Sequence, residues 1–387
     1  MEEQQGSPPS GQLTAQKARD KSKHSPSIPL TNPTSFASLI ALERLPATTF
    51  TSIEPVVAGG ARVIRNENGH RRLQLTTYGG QMFAQAAWAA AETIGSGWVI
   101  HQNVTGTFLA PGVHGVPFTY HVRSLLEGKT FRLRTVEAIQ PCLSSGSGTT
   151  TTSRVTVSFK KMVPSAVRLS KFDHQPPPSA AVRHALARLH AGASPHPKTL
   201  TPRTFPTLQA MLDCRQTARE PLYTSSVAGV EAVLLPLPGS ETSLRLPQSQ
   251  AHGHFPFSRQ GLRRKTTTLY TAVGEPIEFA GASANLSICG HLNAADGMSL
   301  FDAAALLGFP AQRLRAVCTL GLNVVIHEAA SVGFGGDEGK RWYVQEGWVD
   351  RFADERVVFC TKVWNDRGVC VLSSWQEGLL KVRGARL

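Results

Sequence analysis

Hydrophobic and polar positions form two ordered patterns separated by a stretch that has none. In the first pattern, residues 35–162, the run at 81–93 (QMFAQAAWAAAET) is Ala-rich, free of Pro and Gly, and apolar nearly all round. It predicts a helix buried on every side. Residues 119–124, 131–139 and 153–161 then alternate; in the last, Val155, Val157 and Phe159 interleave with Arg154, Thr156 and Ser158. Alternation of this kind predicts half-buried antiparallel strands, with Glu127-Gly128-Lys129 as a hairpin connection. The second pattern, residues 263–387, repeats the grammar. Residues 296–307 (DGMSLFDAAALL) predict a helix that opens at Asp296 and is stopped by Gly308 and Pro310. Strand-like runs follow at 318–327, 342–349, 356–364 and 369–381, the last two joined by the turn Asn365-Asp366-Arg367-Gly368. Each half is therefore one buried helix followed by antiparallel strands. An α+β fold meets both patterns: a sheet curved around a central helix, built twice, with the two sheets paired as a pseudo-dimer.

The intervening residues 163–262, rich in Pro, Ser and Arg and including Gln175-Pro176-Pro177-Pro178, read as a connector. Residues 1–34 are polar and rich in Ser, Pro and Lys, which reads as a disordered tail. That tail has no apolar segment of the kind a secretory signal needs. At 387 residues and 41% hydrophobic, the chain can build two domain-sized cores. No window approaches the roughly 18–20 apolar residues needed to span a bilayer. The formal net charge is +13, and between Lys160 and Lys265 there are 15 Lys and Arg against 5 Asp and Glu, an excess of 10. The imbalance thus sits mostly in the connector. It is either a solvated basic linker or a set of cations that meet a polyanionic substrate. No helix-turn-helix, zinc finger or ribonucleoprotein motif accompanies it, so no nucleic-acid partner is expected. Six cysteines (Cys142, Cys214, Cys289, Cys318, Cys360 and Cys370) include no CxxC pair. They form neither a disulfide framework nor a metal-ligand spacing, and none is expected to be a nucleophile in what reads as a reducing compartment.

Short motifs stand out in order along both halves. They are Tyr78-Gly79-Gly80-Gln81; Phe108-Leu109-Ala110-Pro111-Gly112; Leu126-Glu127-Gly128-Lys129-Thr130-Phe131 with Arg132 and Arg134; Val136-Glu137-Ala138-Ile139-Gln140; and Trp375-Gln376-Glu377-Gly378. Together they resemble the type II acyl-CoA thioesterases, double hot-dog enzymes of bacteria and peroxisomes. The resemblance covers most of residues 60–161 and 290–383, and the connector is longer than that family's. It implies two hot-dog units in one chain and hydrolysis of acyl-CoA to a carboxylic acid and free CoA. It also implies an Asp, a Thr or Ser, and a Gln that hold and activate a water, with no metal or organic cofactor. Carried over residue by residue, Gln376 lies in the Gln-Glu-Gly motif, Thr319 in the strand at 318–327, and Asp296 at the start of the expected second helix. Two departures stand beside the match: Gly321-Leu322 replace the family's Asp-His pair, and residues 329–339 look like a loop insertion.

Thioester hydrolysis needs a nucleophilic water and donors for a developing oxyanion. A helix opening at Asp296 would present the N–H groups of Gly297 and Met298 as those donors. Each assignment has a plainer counterpart: Asp296 as a helix cap, Thr319 as a β-former, Gln376 as a solvent-facing strand residue. Asp302 reads as a polar helix position and His101 as a structural or surface histidine. His327 and Glu328, adjacent at a strand end, point to opposite faces and make no dyad. The chain has no Gly-x-Ser-x-Gly elbow, no P-loop and no dinucleotide fingerprint. The first-half helix has no acid at its start, so that half is expected to be structural or to bind the acyl chain. Two other readings stay open: a hydrolase dedicated to one specialised acyl thioester, carrier-protein-bound in one version, and a non-catalytic acyl-CoA-binding protein. The resemblance further implies association into a homo-oligomer. Ala385-Arg386-Leu387 resembles a small–basic–Leu peroxisomal address read by an import receptor, which would place the protein in the peroxisome and otherwise in the cytoplasm.

Overall fold

The structure is a computed structural model, and it describes residues 35–65, 71–142, 148–162, 174–190, 222–227, 230–236, 264–272, 284–297, 299–309, 314–336 and 339–382. The first half comprises α1 (Phe36–Ile40), β1 (Leu42–Arg44), β2 (Thr49–Ser52), a hairpin of β3 (Ala58–Arg65) and β4 (Arg71–Thr77), and α2 (Gly79–Glu92). It continues with β5 (Trp98–Phe108), β6 (Thr119–Glu127), β7 (Phe131–Pro141) and β8 (Thr149–Lys161). Next come α3 (Ala180–His190), β9 (Leu222–Val227), β10 (Val230–Leu234) and β11 (Lys265–Ala272). The second half is completed by α4 (Ala284–Asp296), α5 (Ser299–Leu306), β12 (Leu314–Ile326), the two-residue strands β13 (Gly335–Gly336) and β14 (Gly339–Lys340), β15 (Tyr343–Ala353), β16 (Arg356–Trp364) and β17 (Cys370–Val382).

Thirteen strands form one sheet in the order β1-β2-β6-β7-β8-β5-β12-β17-β16-β15-β11-β10-β9. Strand order in the second half mirrors that in the first. The halves join where β5 and β12 pair antiparallel, from Gly321↔Thr107 to Ile326↔Gln102. Helix α2 packs on β5 to β8, α4 packs on β5, β10 and β12, and the two helices pack on each other. This is the expected pair of hot-dog units, sharing one core that includes Phe83, Val104, Val157, Ile288, Leu292 and Val324. Ala84, Ala86, Ala87, Ala90 and Ala91 are all buried along α2, so small side chains let it sit between sheet and partner helix. Phe83 lies flat on β5 at Gly106, where a Cβ would come within 2.6 Å of its ring. Complete burial of a side chain of this size contributes about 1.5–3 kcal/mol.

The strands and turns expected at 119–139, 153–161 and 356–381 are present as β6, β7, β8, β16 and β17. Two expectations need correction. The second helix does not open at Asp296: α4 ends there, and a separate helix, α5, starts at Ser299. Helix α4 (ANLSICGHLNAAD) is buried along nearly its whole length, so it carries no polar stripe to mark it. The stretch 163–262 is not merely a linker. Its β9 and β10 extend the second sheet beyond β11, and Val182, Ala185 and Leu186 of α3 pack on Val233, Leu269, Val344 and Trp364. Gln175 clasps the turn between β16 and β17, donating to the Gly368 carbonyl at 2.8 Å and accepting from the Cys370 N–H at 2.8 Å. Among the described residues no helix is long and apolar enough to cross a membrane. The expected tail at 1–34 and the tripeptide at 385–387 lie outside the described residues.

Candidate active site

Three side chains from three elements converge where α4 ends. Thr319 of β12 donates its hydroxyl proton to Asp296 Oδ1 at 2.8 Å. The Gln376 amide, from β17, donates to the same Oδ1 at 2.5 Å and to Thr319 Oγ1 at 2.7 Å. Strand pairing brings these residues together, with Thr319 opposite Gly378 and Leu322 opposite Gln376 across β12 and β17. Proton count fixes the Gln376 orientation. The one hydroxyl proton of Thr319 goes to the carboxylate, so the two remaining contacts both need N–H donors, and the amide nitrogen has two. Gln376 Oε1 is then left buried with no hydrogen-bond partner. A buried acceptor without a protein partner is costly.

The carboxylate is not at the start of its own helix but against the start of the other one. The Gly80 N–H at the first turn of α2 donates a hydrogen bond to Asp296. A Cβ on Gly79 would lie 2.8 Å from Asp296 Oδ2 and 3.0 Å from the Phe108 ring. A Cβ on Gly80 would lie 2.5 Å from the Asn293 carbonyl and 2.6 Å from the Tyr78 hydroxyl. The Gly-Gly pair is thus what lets the two helix ends meet. Burial holds the Asp296 carboxyl above the ordinary carboxylate range, against the hydrogen bonds from Thr319, Gly80 and Gln376 that pull it down. The positive end of the α2 dipole opposes that rise as well.

The expected oxyanion donors change accordingly. The Gly297 N–H is taken by the Ala294 carbonyl at 3.0 Å, because the chain is still turning off the end of α4. Met298 lies outside the described residues. The helix start at this site belongs instead to α2, so the first half contributes a backbone donor, the Gly80 N–H, to the Asp296 carboxylate. The motif Tyr78-Gly79-Gly80 carried that signal: consecutive glycines at a helix start imply a close neighbour. The remaining candidates lie elsewhere. His327 Nε2 is 2.9 Å from Ser373 Oγ, and the Glu328 carboxylate accepts from the Ala330 N–H at 3.3 Å to cap a short 3₁₀ turn. Asp302 is buried in the first turn of α5 and does not face solvent as a polar helix position would. His101 is half-buried on β5.

Comparison with known proteins agrees with this architecture. Residues 69–160 match the family of the acyl-CoA thioesterase N-terminal domain. The fold is similar to that of an acyl-CoA thioesterase II, TesB2, from Mycobacterium marinum, with 14% identity, TM-score 0.56, and coverage of 91% of this chain and 99% of that one. It is similar to the tesB protein of Mycobacterium avium subs paratuberculosis at 16% identity and TM-score 0.53, covering 90% and 99% of the two chains. A hot-dog protein of unknown function from Alicyclobacillus acidocaldarius has 13% identity and TM-score 0.51, with 90% and 98% covered. At these identities the structural likenesses establish the fold. No curated protein matches the sequence. The chain thus has the double hot-dog fold, and its residues 69–160 are similar to an acyl-CoA thioesterase N-terminal domain.

Proposed function

We propose that the protein hydrolyses acyl-CoA to a carboxylic acid and free CoA, with Asp296, Thr319 and Gln376 ordering the attacking water. The observation that carries this reading is the buried, unpartnered Gln376 Oε1 beside a carboxylate already oriented by two donors. A water bridging Oε1 and the Asp296 carboxylate donates one proton to each, which turns its lone pair outward. Asp296 takes a proton as the water oxygen attacks the thioester carbon. The carbonyl oxygen, gaining charge, faces the positive end of α2 at Gly79. Collapse of the tetrahedral species breaks the C–S bond, and the thiolate leaves with the proton that Asp296 returns.

CoA release is measured over acyl-CoAs of increasing chain length, for the wild type and Asp296→Asn. The expected outcome is turnover that falls roughly 10²–10⁴-fold in the variant. Because Asp296 must be ionised to act, wild-type kcat falls as pH drops through its raised value, so the acid limb lies above the ordinary carboxylate range. Full activity in Asp296→Asn would refute the assigned base. A folded wild type that binds acyl-CoA without turning it over would favour a binding protein, and activity confined to carrier-bound acyl groups would favour a dedicated hydrolase.

A further inference from the structure

Tyr78 lies against Asp296 yet plays no part in holding the water. It precedes α2, and its side chain runs under the end of α4. The side chain is buried, and its hydroxyl donates to the Asn293 carbonyl at 2.6 Å. That carbonyl belongs to the last turn of α4, where the i→i+4 pattern fails because the Gly297 N–H turns to Ala294 instead. Helix-terminal carbonyls need partners from outside the helix. Here the partner comes from the other hot-dog unit, 215 residues earlier in the chain. The same hydroxyl lies 2.6 Å from a Cβ placed on Gly80 and 3.1 Å from one placed on Gly297, so it sits between the start of α2 and the break after Asp296. Its backbone is anchored too, with the Tyr78 N–H on the Val57 carbonyl at 2.8 Å.

We infer that Tyr78 is a positioning residue for the reaction: its hydroxyl caps α4 from the opposite unit and thereby fixes the Asp296 carboxylate against Gly79 and Gly80. The inference rests on the proposed role of Asp296. The residue acts through the helix end and touches no reacting atom. Burial, then the neighbouring Asp296 charge, keeps the phenol protonated and therefore a donor throughout the working pH range.

The test compares Tyr78→Phe with Tyr343→Phe. Tyr343 is a second buried tyrosine, whose hydroxyl donates to the Ser331 and Gly333 carbonyls at 3.2 and 2.8 Å, away from the α2–α4 junction. Each variant removes one oxygen and no packing area, and thermal unfolding confirms that each folds. kcat, KM and the pH profile are read on the acyl-CoA best turned over by wild type. In Tyr78→Phe, kcat is expected to fall roughly 10- to 100-fold with KM little changed, the size of effect that small misplacements of catalytic groups produce. Its acid limb moves to lower pH, because a loosened helix end admits water to the carboxylate. Tyr343→Phe loses stability but keeps wild-type kcat and acid limb. Wild-type kcat and limb in Tyr78→Phe, with Asp296→Asn inactive, would reduce Tyr78 to a structural tyrosine and leave the proposed function standing. An active Asp296→Asn would bring down both.

Discussion

The two hot-dog units solve the same problem in opposite ways at the end of their sheets. In the second unit α5 closes that end: Leu300, Ala303, Ala304 and Phe309 pack on Val349, Val357, Phe359 and Leu380. In the first unit α2 runs into β5 through a short turn, and charged side chains stand on β7. Arg134, nearly buried, donates to Thr93 Oγ1 at 3.1 Å and Ser124 Oγ at 2.9 Å and pairs with Glu127 at 2.5 Å. Arg132 donates to the Ile94 carbonyl at 3.2 Å and stacks 4.2 Å from the Trp98 ring centre. The helix ends differ as well. Where α4 meets the start of α2 there is a carboxylate. Where α4 begins, near β5, Asn285 accepts from the Ile100 N–H at 2.7 Å and donates to the Trp98 carbonyl at 3.1 Å. A pseudo-symmetric scaffold therefore carries one junction with a buried carboxylate and one sealed with amide and guanidinium groups.

The largest effect on this contrast comes from α5. Leu300 is buried and packs directly on Gly378 of β17, two residues beyond Gln376. Leu300→Ala is expected to cost about 2–5 kcal/mol of stability, through lost transfer energy and the cavity left behind. Arg134→Met in the first unit should cost less, about 1–3 kcal/mol, because the groups left unbonded there reach solvent more readily. Urea unfolding of the two variants measures the difference. Equal losses would mean that the charged clasp is as integral as the apolar plug.

Next in size is the junction itself. Gly79→Ala places a methyl 2.8 Å from Asp296 Oδ2, so the carboxylate must move. kcat is expected to fall roughly 100-fold, as a displacement near 1 Å costs elsewhere. A substitution at the sealed junction, Thr93→Ser, keeps the hydroxyl that accepts from Arg134 and should leave kcat within about twofold. Steady-state kinetics on both variants decide whether chemistry resides at one junction alone.

Much of this was legible in the sequence. Alternation in Val155, Val157 and Phe159 marked β8, and the Asn365–Gly368 turn marked the last hairpin, because a one-sided sheet face imposes period two on the chain. What was hidden had physical causes. Helix α4 has no solvent-facing polar stripe, its Asn285, Ser287, His291 and Asn293 being buried, because it touches sheet, helix and loop at once, and Gly290 falls where a Cβ would meet Phe334 at 2.6 Å. In α3, Val182, Ala185, Leu186 and Leu189 do fall at i, i+3, i+4 and i+7, but the Pro-rich sequence before them masked the stripe. The identities of Asp296, Thr319 and Gln376 came from motif resemblance. Their convergence did not, since register across β12 and β17 and the meeting of two helix ends are long-range facts.

The smallest effect compares two carboxylates, one from each unit, that the fold pushes in opposite directions. Asp296 is raised by burial. Glu127 is lowered, chiefly by the Ser124 hydroxyl and then by Arg134 and Arg132, at a position open to solvent. For Glu127 the folded value lies below the unfolded one, so its contribution is present above the unfolded value and lost as pH falls through the folded one. Screening by solvent keeps that contribution to a few tenths of a kcal/mol. Asp296 has the reverse sign: its ionisation as pH rises through the raised value works against folding and, in the proposed mechanism, switches on the water. Glu127→Gln should thus lower the urea midpoint slightly near neutral pH, with the difference vanishing in acid, and should leave the acid limb of kcat where it was. A limb that moved with Glu127→Gln would mean that the two units are electrostatically coupled through the core. A limb that stays would mean that each unit tunes its own carboxylate, one for stability and one for chemistry.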